Sequence, residues 1–221
     1  MTLDFAPLLL SFEVALVATL LAALLGIGCG LLLVWKRMIG RDLIEAITTA
    51  PLVMPPTVLG YYVLVALGRH SGIGQAWEYV FGSSIVFTRS GAIVAATLGS
   101  LPLVIRASRA ALEGVDPTLL KAARTLGASP LRAFLTVHLP LASRGILAGV
   151  MLAFARALGD LGVTLMVAGD IPGETQTAAL AIYDAIQAHR ETEAAGMVAI
   201  LTGVCVAARY LVTKWRRARD A

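Results

Sequence analysis

The twenty-one residues Val14–Val34, VALVATLLAALLGIGCGLLLV, contain no charged side chain. About 20 apolar residues are what an α-helix needs to cross the hydrocarbon core of a bilayer. Inside lipid, only a structure that pairs its own backbone polar groups is stable. This run therefore restricts the chain to membrane helices, and Trp35-Lys36-Arg37 close it at a polar boundary. Four further stretches follow: 43–67, which carries Pro51, Pro55 and Pro56; 90–108; 146–167, which carries Arg156 and Asp160; and 194–212. Composition agrees, with 58% hydrophobic and only 14% charged residues among 221 and a mean hydropathy of +0.82. Soluble domains carry about 25% charged residues, so a water-soluble globule is excluded, and the abundance of Leu, Val and Ala excludes disorder. The expectation is an all-α integral membrane protein of five transmembrane helices, with one domain over residues 8–213 and a basic tail over 214–221.

Lys and Arg mark the cytoplasmic side of such a bundle. Of the 18, Arg69, Arg89 and Arg190 fall on one side, Arg156 lies within a span, and the other fourteen fall on the opposite side. The N-terminus is therefore expected outside and the C-terminus in the cytoplasm. Only Asp4 and Glu13 are charged before the first span, so no cleaved secretory signal is expected. The net charge of +4 does not indicate nucleic acid, because the basic residues flank apolar runs and form no aromatic-interleaved stripe. Cys29 and Cys205 sit in apolar runs and read as small buried hydrophobes, with no disulfide framework or zinc site. His70, His138 and His189 read as loop residues on different sides of the membrane, unable to share a metal.

The longest cytoplasmic segment, 109–144, has its own helical punctuation. Asp116 is placed as an N-cap with Pro117 at the first helical position. Leu119, Leu120, Ala123 and Leu126 follow at helical spacing, and Gly127 stands where a C-terminal glycine belongs. Ser129-Pro130 opens a second helix with Leu131, Phe134, Leu135 and Leu139 on one face, and Pro140 is expected to stop it. Two short amphipathic helices between spans require a surface, either a partner protein or the inner membrane face.

Pro51, Pro55 and Pro56 remove backbone donors, so they must kink or unwind the second span. Broken backbone persists in a membrane only where protein or water satisfies it, which makes Pro55, Pro56 and Thr57 candidates for lining a pathway. The structural alternative is a kink that only shapes packing. Arg156 and Asp160 are four apart, on one helical face. Arg156 stands about 18 Å past Arg144 along a helix, at a depth where charges pair and face a wet cavity or a bundle interior. A gate in the pathway and a self-neutralising structural pair both fit. Gly26/Gly30 and Gly145/Gly149 suit close helix packing. No GxxxxGK[ST] occurs, and Gly26-Ile27-Gly28 has no βαβ unit around it. No catalytic and no metal-ligating residue is assigned, and any ATP hydrolysis belongs to another polypeptide.

Lys121–Pro140 resembles the EAA loop of binding-protein-dependent ABC importer permeases: Glu-Ala-Ala, three residues, Gly, nine residues, Ile, one residue, Leu-Pro. Ala122, Ala123, Gly127, Leu139 and Pro140 match; Lys121 replaces the acid and Val137 the Ile. Pro51–Tyr62, Phe154–Gly162 and Met166–Gly173, then Thr175-Gln176-Thr177 and Ala181-Ile182-Tyr183, resemble the molybdate permease subfamily, and the likeness covers residues 8–213. The resemblance implies a type I ABC importer permease fold with cytoplasmic coupling helices in 113–140. It also implies a homodimer in the lipid of the bacterial cytoplasmic (inner) membrane, a separate cytoplasmic ATPase holding ATP and Mg, and an extracytoplasmic molybdate-binding protein. Lys121, Ala122, Ala123, Gly127, Leu139 and Pro140 would couple to the ATPase, with no cofactor bound by this chain. Pro55, Pro56, Thr57, Arg156 and Asp160 would form the pathway or its gate. Molybdate is a dianion that an exposed Asp160 would repel, so this carboxylate is expected to hold Arg156 rather than touch the ion. The outer segment 169–190, with Asp170 and Glu174, would receive the binding protein. Tungstate and sulfate stay open as substrates. A stand-alone channel or secondary carrier is the reading from another class, opposed by five spans without an internal repeat. A membrane-embedded enzyme is opposed by the lack of a histidine facing a serine within a span.

Overall fold

A computed structural model describes residues 5–34 and 40–218, and every regular element among them is helical. In chain order these are α1 (Ala6–Val34), α2 (Arg41–Val53), α3 (Pro56–Leu67), α4 (Gly72–Phe81), α5 (Arg89–Glu113), α6 (Pro117–Thr125), α7 (Pro130–Ala133), a π-helical turn (Phe134–His138), α8 (Leu139–Leu158), α9 (Gly162–Ala168), α10 (Ala178–Gln187) and α11 (Glu191–Ala218). Trp35, Lys36 and Arg37, expected to close the first span, lie outside the described residues, as do the side chains of the basic tail.

The bundle is built on α5, against which α1 and α8 pack along their lengths and α9 and α2 pack locally. Small residues make the close approach possible. A Cβ on Gly26 would lie 2.8 Å from the Val104 side chain, one on Gly30 2.9 Å from Ser108, and one on Gly145 2.6 Å from Ala111; one on Gly149 would collide with Ala107. Both glycine pairs thus seat a helix on α5, as their spacing indicates. Leu10, Val14 and Ala18 of α1 meet Ala92 and Ala96 of α5 and Ala157 and Leu158 of α8 in the main core. Leu9, Leu16, Leu20 and Leu24 of α1 face outward, as lipid-facing residues do.

The expected spans meet the structure with several corrections. The first helix begins at Ala6 rather than Val14 and carries Glu13 along, because a helix extends past the end of its apolar stretch. The second is two helices, α2 and α3, bent by 117°. Among the described residues, three helices, Ala6–Val34, Arg89–Glu113 and Pro130–Leu158, are long and apolar enough to cross a membrane, and the bent pair adds a fourth when its two helices are taken as one span. The fifth expected span corresponds to α11, a helix of 28 residues that begins with Glu191 and Glu193. Pro140 does not stop a helix. Helical backbone runs from Pro130 to Leu158, and in the π-helical turn the Leu139 N–H donates to the Phe134 carbonyl five residues back. That wider register accommodates the missing proline donor in the first turn of α8. His138 accordingly lies in this helix rather than in a loop, with its Nε2 2.9 Å from the Leu112 carbonyl oxygen. Cys205 is exposed on α11 and Cys29 is half-buried, so neither is fully buried.

Candidate functional site

The fourth span breaks where its charges are. α8 ends at Leu158, Gly159 follows as its cap, and α9 starts at Gly162. Asp160 therefore stands in the gap and not on the same continuous helix as Arg156, a correction to the single-face expectation. The pair forms all the same. Arg156 Nη1 donates to Asp160 Oδ1 at 2.8 Å, while Oδ2 accepts from the Thr164 amide at 2.9 Å and from the Thr164 hydroxyl at 2.7 Å. Asp160 thus caps the N-terminal turn of α9, whose free amides favour an anion, and tethers the last turn of α8. It is only 3% exposed, whereas the Arg156 side chain is 35% exposed. The carboxylate is enclosed and fully engaged; the guanidinium is what the pair presents. Gly99 of α5 lies alongside, where a Cβ would be 3.7 Å from Arg156 Nη2 and 3.8 Å from Asp160 Oδ1. Sequence reasoning missed Thr164 and Gly99; the signal available for Thr164 was its position four residues after Asp160.

The second break touches the fourth. Met54 and Pro55 are extended, with ψ of 140° and 137°, and Pro56 takes the first position of α3. Pro51 lies inside α2, which continues to Val53, so the unwinding comes at Pro55-Pro56. A Cβ on Gly162 would stand 2.7 Å from Pro56 Cβ, and one on Gly60 2.7 Å from Met166 Cβ. Two interrupted helices therefore meet at their interruptions, with Leu59 and Val63 packed on Val163, Val167 and Ala95. Pro55, Pro56 and Thr57 themselves are exposed.

At the C-terminal end of α5, the segment that follows forms a defined knob. The Asp116 carboxylate accepts the Thr118 amide at 2.8 Å, and that amide, with the Thr118 hydroxyl, holds its carboxyl below the usual carboxylate range. α6 ends in a Schellman motif: Gly127 N–H donates to the Arg124 carbonyl and Ala128 N–H to the Ala123 carbonyl, with Gly127 at φ 89°. Ser129 Oγ then accepts the Arg132 amide at 3.3 Å and caps α7. Lys121, Ala122 and Gly127 are exposed, Ala123 is half-buried, and Leu126 is 88% exposed. Leu139 is different. It packs with Leu112, Ala142 and Ile146 inside the bundle, while Pro140 remains exposed. The motif therefore divides into an outward-facing half on α6 and an anchoring half that ties the knob to α5.

Segment 169–190 contains α10 and is held by Arg89, whose Nε and Nη2 donate to the Glu174 and Gly173 carbonyls at 3.1 and 3.3 Å. Among the described residues no group of three His, Cys, Asp or Glu is placed to hold a metal ion.

A broken-helix bundle with a capped, projecting knob is the architecture of a type I ABC importer permease, and the chain belongs to the family described as binding-protein-dependent transport system inner membrane component, which it matches over residues 18–217. It is 41% identical over 212 residues to the molybdenum transport system permease protein ModB of Escherichia coli (strain K12), covering 96% of this chain and 93% of that one. The Haemophilus influenzae protein of the same name is 39% identical, with the same coverage. In fold the chain is similar to the inward-facing MetNI methionine ABC transporter, at a TM-score of 0.74 and 19% identity over 98% of this chain and 95% of that one.

Proposed function

We propose that this chain is the membrane permease subunit of an ATP-driven molybdate importer. Its likeness to molybdenum permeases along nearly its whole length supports the substrate class. The observation that carries the coupling role is α6, a short helix capped at both ends and presented outward by a loop anchored to α5. Two copies of the chain form the pathway, each receiving one cytoplasmic ATPase subunit on Lys121, Ala122, Ala123, Gly127 and the exposed Leu126. ATP and Mg reside on that partner, and this chain binds no cofactor. An extracytoplasmic binding protein delivers the oxyanion to the outer face around segment 169–190. The N-terminus lies outside and the C-terminus in the cytoplasm of a bacterial inner membrane.

The mechanism is alternating access. Closure of the ATPase dimer displaces α6, and because α6 is rigid the displacement reaches α5 rather than being absorbed locally. ATP drives the transition through the different contacts α6 makes in the two states. The broken spans around Pro55-Pro56 and Asp160 form the gate. There Asp160 has both oxygens engaged, so the pair is neutral overall and presents a part-exposed guanidinium rather than a bare carboxylate to a dianion. The test is uptake of labelled molybdate into proteoliposomes containing this chain, its ATPase and the loaded binding protein, with sulfate and tungstate as competitors. Uptake suppressed by unlabelled tungstate but not by sulfate is expected. Suppression by sulfate would broaden the assignment to oxyanions in general, and uptake independent of ATP would return it to a channel or carrier.

A further inference from the structure

The cytoplasmic ends of α2 and α5 are joined by a neutral cluster of four charges. Arg41 and Glu45 stand four apart on α2, and Arg109 and Glu113 four apart on α5. Each pair therefore projects from one face of its own helix. The two Arg-to-Glu pairs meet in opposite directions, so each arginine faces the other helix's glutamate. Arg41 Nη2 lies 2.7 Å from Glu113 Oε1, Arg109 Nη1 pairs with Glu45 Oε2, and Arg109 Nε donates to Glu113 Oε1 at 3.0 Å. The guanidinium-bearing side chains are about four-fifths covered, at 20% and 21% exposure. Two arginines and two carboxylates on facing helices make a cross-braced contact with directional hydrogen bonds, unlike a lone mobile surface pair.

The position of the cluster matters as much as its geometry. Glu113 is the last residue of α5 and Asp116 is the cap of α6, so the cluster sits at the root of the knob. From Arg41 and Glu45, α2 runs to the bend at Met54-Pro55, and across that bend Pro56 abuts Gly162, two residues from Asp160. α2 has no fully buried residue, and the two Arg–Glu pairs are the side-chain hydrogen-bonded ties between it and α5 among the described residues.

We infer that Arg41, Glu45, Arg109 and Glu113 are positioning residues that transmit displacement of the coupling knob to the bent α2–α3 pair and so to the gate. This rests on the coupling role proposed for α6. Contiguity alone does not demonstrate transmission, so the test must separate energy use from transport. In proteoliposomes with the ATPase and the loaded binding protein, Glu45→Gln and Arg41→Gln should each still assemble and hydrolyse ATP. Molybdate moved per ATP should fall at least about fivefold. The double variant, which removes both cross-helix pairs where each single one leaves a pair intact, should be worse than either single one. Glu45→Asp, which keeps the charge, should recover part of the loss. An unchanged transport-to-hydrolysis ratio, or a parallel fall of both activities with the amount of assembled complex, would overturn the inference. Wild-type chain that failed to bind the ATPase would instead overturn the coupling role itself.

Discussion

Asp160 is the residue on which the break between α8 and α9 turns, because one carboxylate holds Arg156, caps α9 and is almost wholly enclosed. Asp160→Asn removes the charge while keeping the shape, so it should impair molybdate uptake while the protein still inserts. Breaking a fully buried pair costs about 3–5 kcal/mol, and the cost here should be smaller because the Arg156 side chain is 35% exposed. Thr164→Val, which removes a hydroxyl but not the amide, should lower stability by about 1–2 kcal/mol, read as a lower thermal midpoint; Thr164→Ser should restore most of it. At the knob, Gly127 adopts φ 89°, and a Cβ added there would meet open space. Any loss in Gly127→Val would therefore come from backbone strain of about 1–2 kcal/mol, and it should appear as weaker coupling with intact insertion. Asp116 supplies a pH dependence. Its folded-state pKa is depressed by the Thr118 amide and hydroxyl, so its stabilisation of α6 is present above the unfolded pKa and is lost as pH falls through the folded one. Hydrogen exchange should show wild-type α6 better protected than Asp116→Ala at neutral pH, with the difference vanishing in acid.

Among the elements, the helices that pack on α5 were legible because their signals are local. Gly26/Gly30 and Gly145/Gly149 show their spacing openly and meet α5 side chains in the structure. The caps of α6 were equally readable, since Asp116-Pro117 and Gly127 are chosen by backbone geometry. What sequence did not reveal depends on neighbours. The break at Asp160 is stabilised by Thr164 and flanked by Gly99 from another helix, and locally only Gly159 and Gly162, which bracket it, hint at an interruption. Pro140 looked like a stop, but the π-helical turn before it shifts the hydrogen-bond register and lets the helix continue. The paired Arg-to-Glu spacings at Arg41/Glu45 and Arg109/Glu113 were visible in the sequence, yet only the antiparallel meeting of α2 and α5 gives them meaning. Gly149→Leu tests the helix contacts most severely. Ala107 leaves no room for even a Cβ at this position, so the variant should lose at least about 1–3 kcal/mol and show reduced amounts of folded protein in detergent.

At the scale of the whole molecule, the permease joins two interrupted helices to a capped knob at the C-terminal end of α5. The interruptions touch at Pro56 and Gly162, and the knob is anchored through Leu139 and the His138–Leu112 contact. In the proposed mechanism that layout connects an energy-consuming partner on one side with a gate for an anion in the middle. The most direct test of the account is ATP hydrolysis in proteoliposomes that contain this chain, its ATPase and the binding protein, comparing apo with molybdate-loaded binding protein. Hydrolysis should rise with loaded binding protein, and Gly127→Val should weaken the rise while basal hydrolysis persists. Hydrolysis indifferent to the binding protein's load, or stimulation unaffected by Gly127→Val, would contradict a mechanism in which α6 carries the signal between the two sides.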